Sequence, residues 1–432
     1  MGNAPPPPGS PWPTEPEGPR PHARPQSSPA WAWPPAPTAA HGHDSAVWAW
    51  PPPRPARPTR LAGPPPGSEF HRVARTAWFR WWVPPLALAT AIALSQLIQV
   101  PIGLFAGLIA LASGGPLDSD VLFGSAVPDL AVQLVVVAML TPSVLVAARF
   151  VQRRGAGTLS SVEGRLRWRW LLLCAAVATL CVVLALAVLA AAPGALGPRV
   201  PTGSFAGTGE FAAGMIVVLL LVPFQAAGEE YAFRGFLLQI IGGYGARPGE
   251  LAARGRADGP VSRLLRGPVP AIVVSAVAFT SLHAYGGWAT AEVLVFGLAV
   301  GWLAWYTGGL EAGIALHVLH NIAGFGLSAY TGALDRQGTG SGSWQSLAGT
   351  VLEIGLYVLV VVWLARRRGL RRTVPGEPAA LPAASARPPG PAERTAGLRS
   401  DRPGSAPADG PAGPSEAPPV TTWRPPGGHR HS

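Results

Sequence analysis

The sequence predicts an all-α polytopic transmembrane bundle of about eight spans, with disordered Pro-rich tails at both ends. Three observations carry this expectation. The 432 residues are 48% apolar and only 13% charged, with a mean hydropathy of +0.28, too few charges to cover a soluble fold of this size. Of the 50 prolines, 22 fall in residues 1–70 and 14 in 371–432, so the middle of the chain is free to be helical. That middle holds eight apolar runs, each long enough to cross roughly 30 Å of hydrocarbon, for which about 20 residues suffice.

In chain order, residues 1–70 are Pro, Gly, Ala and polar residues whose burial could not offset the entropy of ordering them, so a disordered tail is expected. It contains one repeat, Trp31-Ala32-Trp33-Pro34-Pro35 and Trp48-Ala49-Trp50-Pro51-Pro52. The apolar runs follow at 82–112, 128–149, 170–192, 211–243, 269–287, 291–307, 310–330 and 346–365. The first carries Pro101 and the fourth Pro223. Cys174 and Cys181 stand two helical turns apart in the third run, too far to bridge, so no disulfide is expected. A secretory signal is not expected either, because the first long apolar run starts only near Trp81. The stretch 373–432 is again tail-like.

All 33 basic residues are arginine. A bias that complete looks like GC-rich coding, as in a bacterium, rather than selection for nucleic-acid binding, and no nucleic-acid partner is expected. The arginines instead report topology. Arg72, Arg75 and Arg80 precede the first run; Arg153, Arg154, Arg165, Arg167 and Arg169 fill the second connection; Arg247, Arg254, Arg256, Arg263 and Arg266 the fourth; Arg366, Arg367, Arg368, Arg371 and Arg372 follow the last. The alternate connections 113–127, 193–210 and 331–345 hold only Arg199 and Arg336. Retained loops are arginine-rich, so both termini are expected in the cytoplasm of a multi-pass plasma-membrane protein whose first partner is the bilayer.

Ionisable groups inside a bilayer are costly, and three clusters of them mark a site. In Gly228-Glu229-Glu230-Tyr231-Ala232-Phe233-Arg234-Gly235, Glu230 and Arg234 are i,i+4 neighbours on a helix and can pair, while Glu229 points about 100° away and has no local cation. Phe279 to His283 sets an imidazole one turn after an aromatic ring. In His317-Val318-Leu319-His320-Asn321, His317 and Asn321 share a face and His320 lies beside them. Together the clusters supply a base, an orienting imidazole and neutral hydrogen-bond donors, which is what amide hydrolysis in a dry site requires. One difficulty accompanies this reading. At about 1.5 Å per residue, Glu229 lies about 27 Å from the start of its run and His283 about 20 Å from Pro270, so the two depths need not coincide.

The order Glu-Glu-x-x-x-Arg, Phe-x-x-x-His, His-x-x-x-Asn on successive spans resembles the CPBP intramembrane proteases, which include CAAX-processing prenyl endopeptidases and bacterial proteins linked to bacteriocin self-immunity. The resemblance covers roughly residues 211–330. It implies a protease core there; the N-terminal helices in 71–210, a last helix in 331–372 and the tails at 1–70 and 373–432 lie outside it and rest on the apolar runs and composition alone. It implies further that Glu229 and His283 activate a water, that His317 and Asn321 stabilise the oxyanion, and that Glu230 and Arg234 support them. No cofactor is expected; the alternative is a zinc site of Glu229, His283 and His317. The substrate implied is a membrane-associated protein or peptide. Two non-enzymatic readings of the same residues stay open, a proton-coupled transporter and a membrane scaffold.

Overall fold

The computed structural model describes residues 61–114, 122–191, 205–336 and 340–376. The Trp-Pro repeat and most of both tails lie outside them. Helices stand where the apolar runs predict: α1 (Val83–Ala112), α2 (Ala126–Ala138) with α3 (Leu140–Phe150), α4 (Trp168–Ala191), and α5 (Thr208–Glu230), which continues through a π-helical turn (Tyr231–Leu237) into α6 (Leu238–Gly242). Two short helices, α7 (Pro248–Ala252) and α8 (Pro260–Arg266), lead to α9 (Pro268–Ser281), α10 (Gly287–Thr307), α11 (Glu311–Thr331) and α12 (Trp344–Arg367). Among the described residues there are no strands, only three isolated bridges. Cys174 and Cys181 are both free.

Seven of these segments are long and apolar enough to cross a membrane, so the chain is a multi-pass membrane protein. The fifth predicted span departs from expectation. Instead of running over 269–287, α9 has 14 residues, and it meets α8 at a bend of 62°. That is about 21 Å of helix against roughly 30 Å of hydrocarbon. Its end has a local cause: Nδ1 of His283 donates to the Phe279 carbonyl at 2.8 Å, satisfying one of the acceptors a helix terminus leaves open.

The depth difficulty is resolved by length. The helix running from Thr208 to Gly242 has 35 residues, more than a straight crossing needs. Measured from Gly242, Glu229 is about 20 Å along it, and His283 is about 22 Å from Pro268. Gly242, where the long helix ends, and Pro268, where α9 begins, both lie at the arginine-rich end, where α6 packs on α9. The two side chains therefore sit at similar depth.

α11 packs along both α4 and α5, and α10 along α9 and α12. The resulting core is aliphatic and aromatic: Val300, Leu303, Ala312, Leu316, Tyr357 and Val361 are buried. Leu97, Leu104, Leu180, Leu220 and Leu359 face outward, as expected where the solvent is lipid. Small residues set the closest approaches. A Cβ on Gly228 would stand 2.9 Å from the Val137 carbonyl oxygen, and one on Gly313 2.6 Å from Cγ1 of Val300, so glycine is what lets α5 meet α2 and α11 meet α10.

The arginine-rich end is a folded collar. Ser68 and Val374 are joined by a Val374 N–H to Ser68 carbonyl bond of 2.9 Å, and Gly67 N–H donates to Val374 at the same distance. Arg72 donates to the carbonyls of Gly242 and Gly245, and Arg75 pairs with Glu250 and donates to Gly243. Nε2 of His71 donates to the Arg266 carbonyl at 2.9 Å. Arg167 clasps Glu311 with two parallel bonds of 2.8 and 2.7 Å at the start of α11. Burial pulls the Arg72 guanidinium down to about 10 and that of Arg154 down to about 9. Residues 61–70 and 373–376, tail-like in composition, thus belong to the folded body. Backbone bonds to each other and to Arg153, together with burial of Phe70 and Val374 in one apolar cluster, hold them.

Candidate active site

α5 delivers the first motif at the point where its regular turns give way to the π-helical one, a distortion that recurs at functional sites. Glu230 is fully buried and its Oε1 accepts from Nη1 of Arg234 at 2.9 Å and from Nδ1 of His317 at 2.8 Å. The expected i,i+4 pair is formed. The Arg234 guanidinium lies 4.1 Å over the ring of Phe279, so the second motif's aromatic packs on the first motif's cation. Nε2 of His317 reaches Oε2 of Glu229 at 3.3 Å. His317 thus bridges the two glutamates, and since both ring nitrogens face carboxylate oxygens, the contacts hold only with a proton on each N···O line.

Glu229 opens onto a cavity of about 290 Å³ shared with Gln225, His283, Glu292, His320 and Asn321. His283 is fixed by its bond to the Phe279 carbonyl, stacks on Tyr285 with ring centroids 5.8 Å apart, and is left with Nε2 as an acceptor. Nδ2 of Asn321 donates to Oε1 of Gln225 at 3.1 Å, which orients the amide and leaves its second N–H for a ligand. His317 lies behind Glu229, only 3% exposed, and does not line the cavity. The three motifs converge, then, with Glu229, His283, His320 and Asn321 on the cavity wall and His317, Glu230 and Arg234 behind it. The imidazole in contact with Glu229 is that of His317.

Sequence reasoning passed over Gln225, Glu292 and Glu353. Gln225 was legible as the residue one turn before Glu229. Glu353, in the middle of α12, binds Nδ1 of His320 at 3.1 Å. Glu292 accepts from the hydroxyls of Ser346 at 3.0 Å and Thr350 at 2.5 Å. Both are carboxylates inside apolar runs, the signal that marked Glu229.

The family described as type II CAAX prenyl endopeptidase Rce1-like matches residues 210–323. That segment is Rce1-like. It spans α5 to the middle of α11 and contains every motif residue, in agreement with the CPBP resemblance read from the motifs. The chain matches none of the curated proteins and none of the solved structures. The chain is thus a multi-pass membrane protein that is similar to a protease family over residues 210–323.

Proposed function

We propose that the protein is an intramembrane endopeptidase that hydrolyses a peptide bond of a membrane-associated protein or peptide. The observation that carries this reading is the Glu229 carboxylate, set on an intramembrane cavity and backed by the chain His317, Glu230, Arg234. Glu229, aided by the acceptor nitrogen of His283, takes a proton from a water, and the resulting hydroxide attacks the scissile carbonyl. The free N–H of Asn321 meets the developing oxyanion. His317 serves by holding Glu229 in place, its second nitrogen anchored on the buried Glu230–Arg234 pair. Because this water activation is local to Glu229 and His283, no cofactor takes part.

The residues suggested for zinc do not fit it. His317 spends both nitrogens on the two glutamates, and among the described residues no three His, Cys, Asp or Glu side chains converge as a metal site. Orientation follows the arginines: the collar, with residues 68–76, 242–266 and 371–376, faces the cytoplasm of a plasma-membrane protein, together with both termini. The test of the function is a comparison of membrane peptides from cells carrying wild-type protein and cells carrying Glu229→Gln. A peptide that accumulates only with the variant identifies a substrate, and identical peptidomes refute the reading.

A further inference from the structure

We propose that His320, held by Glu353, is the acid that protonates the leaving amine in the cavity; the assignment rests on the endopeptidase reading. Neither residue is needed by the motifs, and Glu353 lies outside the Rce1-like segment. His320 precedes Asn321 on α11 and lines the cavity with Glu229. Its Nδ1 stands 3.1 and 3.3 Å from the two carboxylate oxygens of Glu353 on α12, a side chain 8% exposed. A carboxylate only accepts, so Nδ1 donates and Nε2 is the nitrogen open to a ligand. The ring of Phe296 packs against His317 at 5.0 Å and His320 at 5.4 Å, so one aromatic spaces the two imidazoles. The charged groups facing His320 are Glu353 on α12 and Glu292 on α10, with Glu229 of α5 on the same cavity, and no arginine lines that cavity. An imidazolium there meets carboxylates and no arginine.

Hydrolysis creates the need for such a group. As the water oxygen bonds to the carbonyl carbon, Glu229 accepts its proton; the C–N bond then breaks only when the nitrogen gains a proton, because an amide anion is too poor a leaving group. Nε2–H of His320 supplies that proton. Transfer of the proton on Glu229 through cavity water recharges the imidazole, so acid and amine leave with no proton or electron unaccounted for. His283 is the weaker choice for this step, since its Nδ1 rests on a carbonyl and not on a carboxylate.

The test compares leaving groups. A palmitoylated peptide p-nitroanilide and the matching p-nitrophenyl ester are offered to wild-type, His320→Gln and Glu353→Gln protein, because nitrophenolate departs without a proton whereas the anilide does not. The expected result is a loss of about 10²- to 10⁴-fold on the anilide in His320→Gln, with the ester within a few-fold of wild type. Glu353→Gln should show the same selectivity, weaker. Equal loss on both substrates in both variants assigns His320 a structural role and overturns the proposal, as does an unchanged anilide rate. Wild-type protein that cleaves neither substrate overturns the endopeptidase reading with it.

Discussion

The Glu229 carboxylate stands 3.3 Å from Nε2 of His317. That contact separates the roles of the two residues. Glu229→Gln keeps size and hydrogen-bonding reach but no longer accepts a proton, so turnover should fall by about 10²-fold or more while the thermal midpoint stays near that of wild type. His317→Ala should reduce both, since it leaves two carboxylates without their shared donor. A Glu229→Gln protein with ordinary turnover would remove the base from the mechanism.

Glu230 and Arg234 are both fully buried. Removing one partner strands the other's charge, at a cost of about 3–5 kcal/mol, so Glu230→Gln and Arg234→Ala should each show up as lost folded protein. The double variant should cost less than the sum of the two. Strict additivity in unfolding measurements would contradict the pairing.

Metal is the next discriminator. A water activated by Glu229 needs no ion, so purified protein that cleaves a substrate should keep its rate in strong chelators. Stoichiometric zinc whose removal stops cleavage and whose return restores it would instead make Glu229 a ligand or the base to a metal-bound water.

Acid should loosen the collar in two stages. Burial holds the His71 imidazole below its ordinary 6.5, so charging it is disfavoured in the fold; its contribution is complete above that pH and is lost as pH falls below it. The bond from Arg75 holds the Glu250 carboxyl below its ordinary 4.5, and its contribution disappears on acidification through and beneath that value. Proteolysis of residues 61–76 followed against pH should show both steps, and His71→Gln should abolish the first. A first step unaffected by that substitution means another group titrates.

Topology is open to labelling. In a background lacking Cys174 and Cys181, a cysteine at Arg256 should react only from the cytoplasmic side of sealed vesicles and one at Gly340 only from the other. The reverse pattern, or both from one side, breaks the proposed orientation.

How much of this was legible depended on range. Apolar run length located the helices because a bilayer makes that pattern compulsory. It missed the end of α9 because residues up to 287 remain largely apolar; the terminus comes from one side-chain bond, His283 to Phe279. It missed the break at Met139, where α2 passes to α3 within one apolar stretch. Within the site, Glu230 with Arg234 was readable because both sit on one helix with fixed spacing. Which imidazole meets Glu229 was not, because that depends on how α5 and α11 pack, and spacing along one helix carries no information about another. Glu353 escaped for the same reason. The collar was hidden further still, since Ser68 and Val374 share no pattern and meet only after every helix between them is placed.

That last contact has a consequence for biogenesis. The Ser68–Val374 pairing joins a stretch that leaves the ribosome before any hydrophobic span to one made after all of them. The collar therefore cannot close until the last hydrophobic span has been made, and Arg72 and Arg75 cannot both be fully housed until the loop carrying Gly242 to Glu250 has also arrived. Closure waits on every span, and a nascent chain stalled short of residue 374 presents an unlatched arginine-rich face to the cell's membrane quality-control proteases.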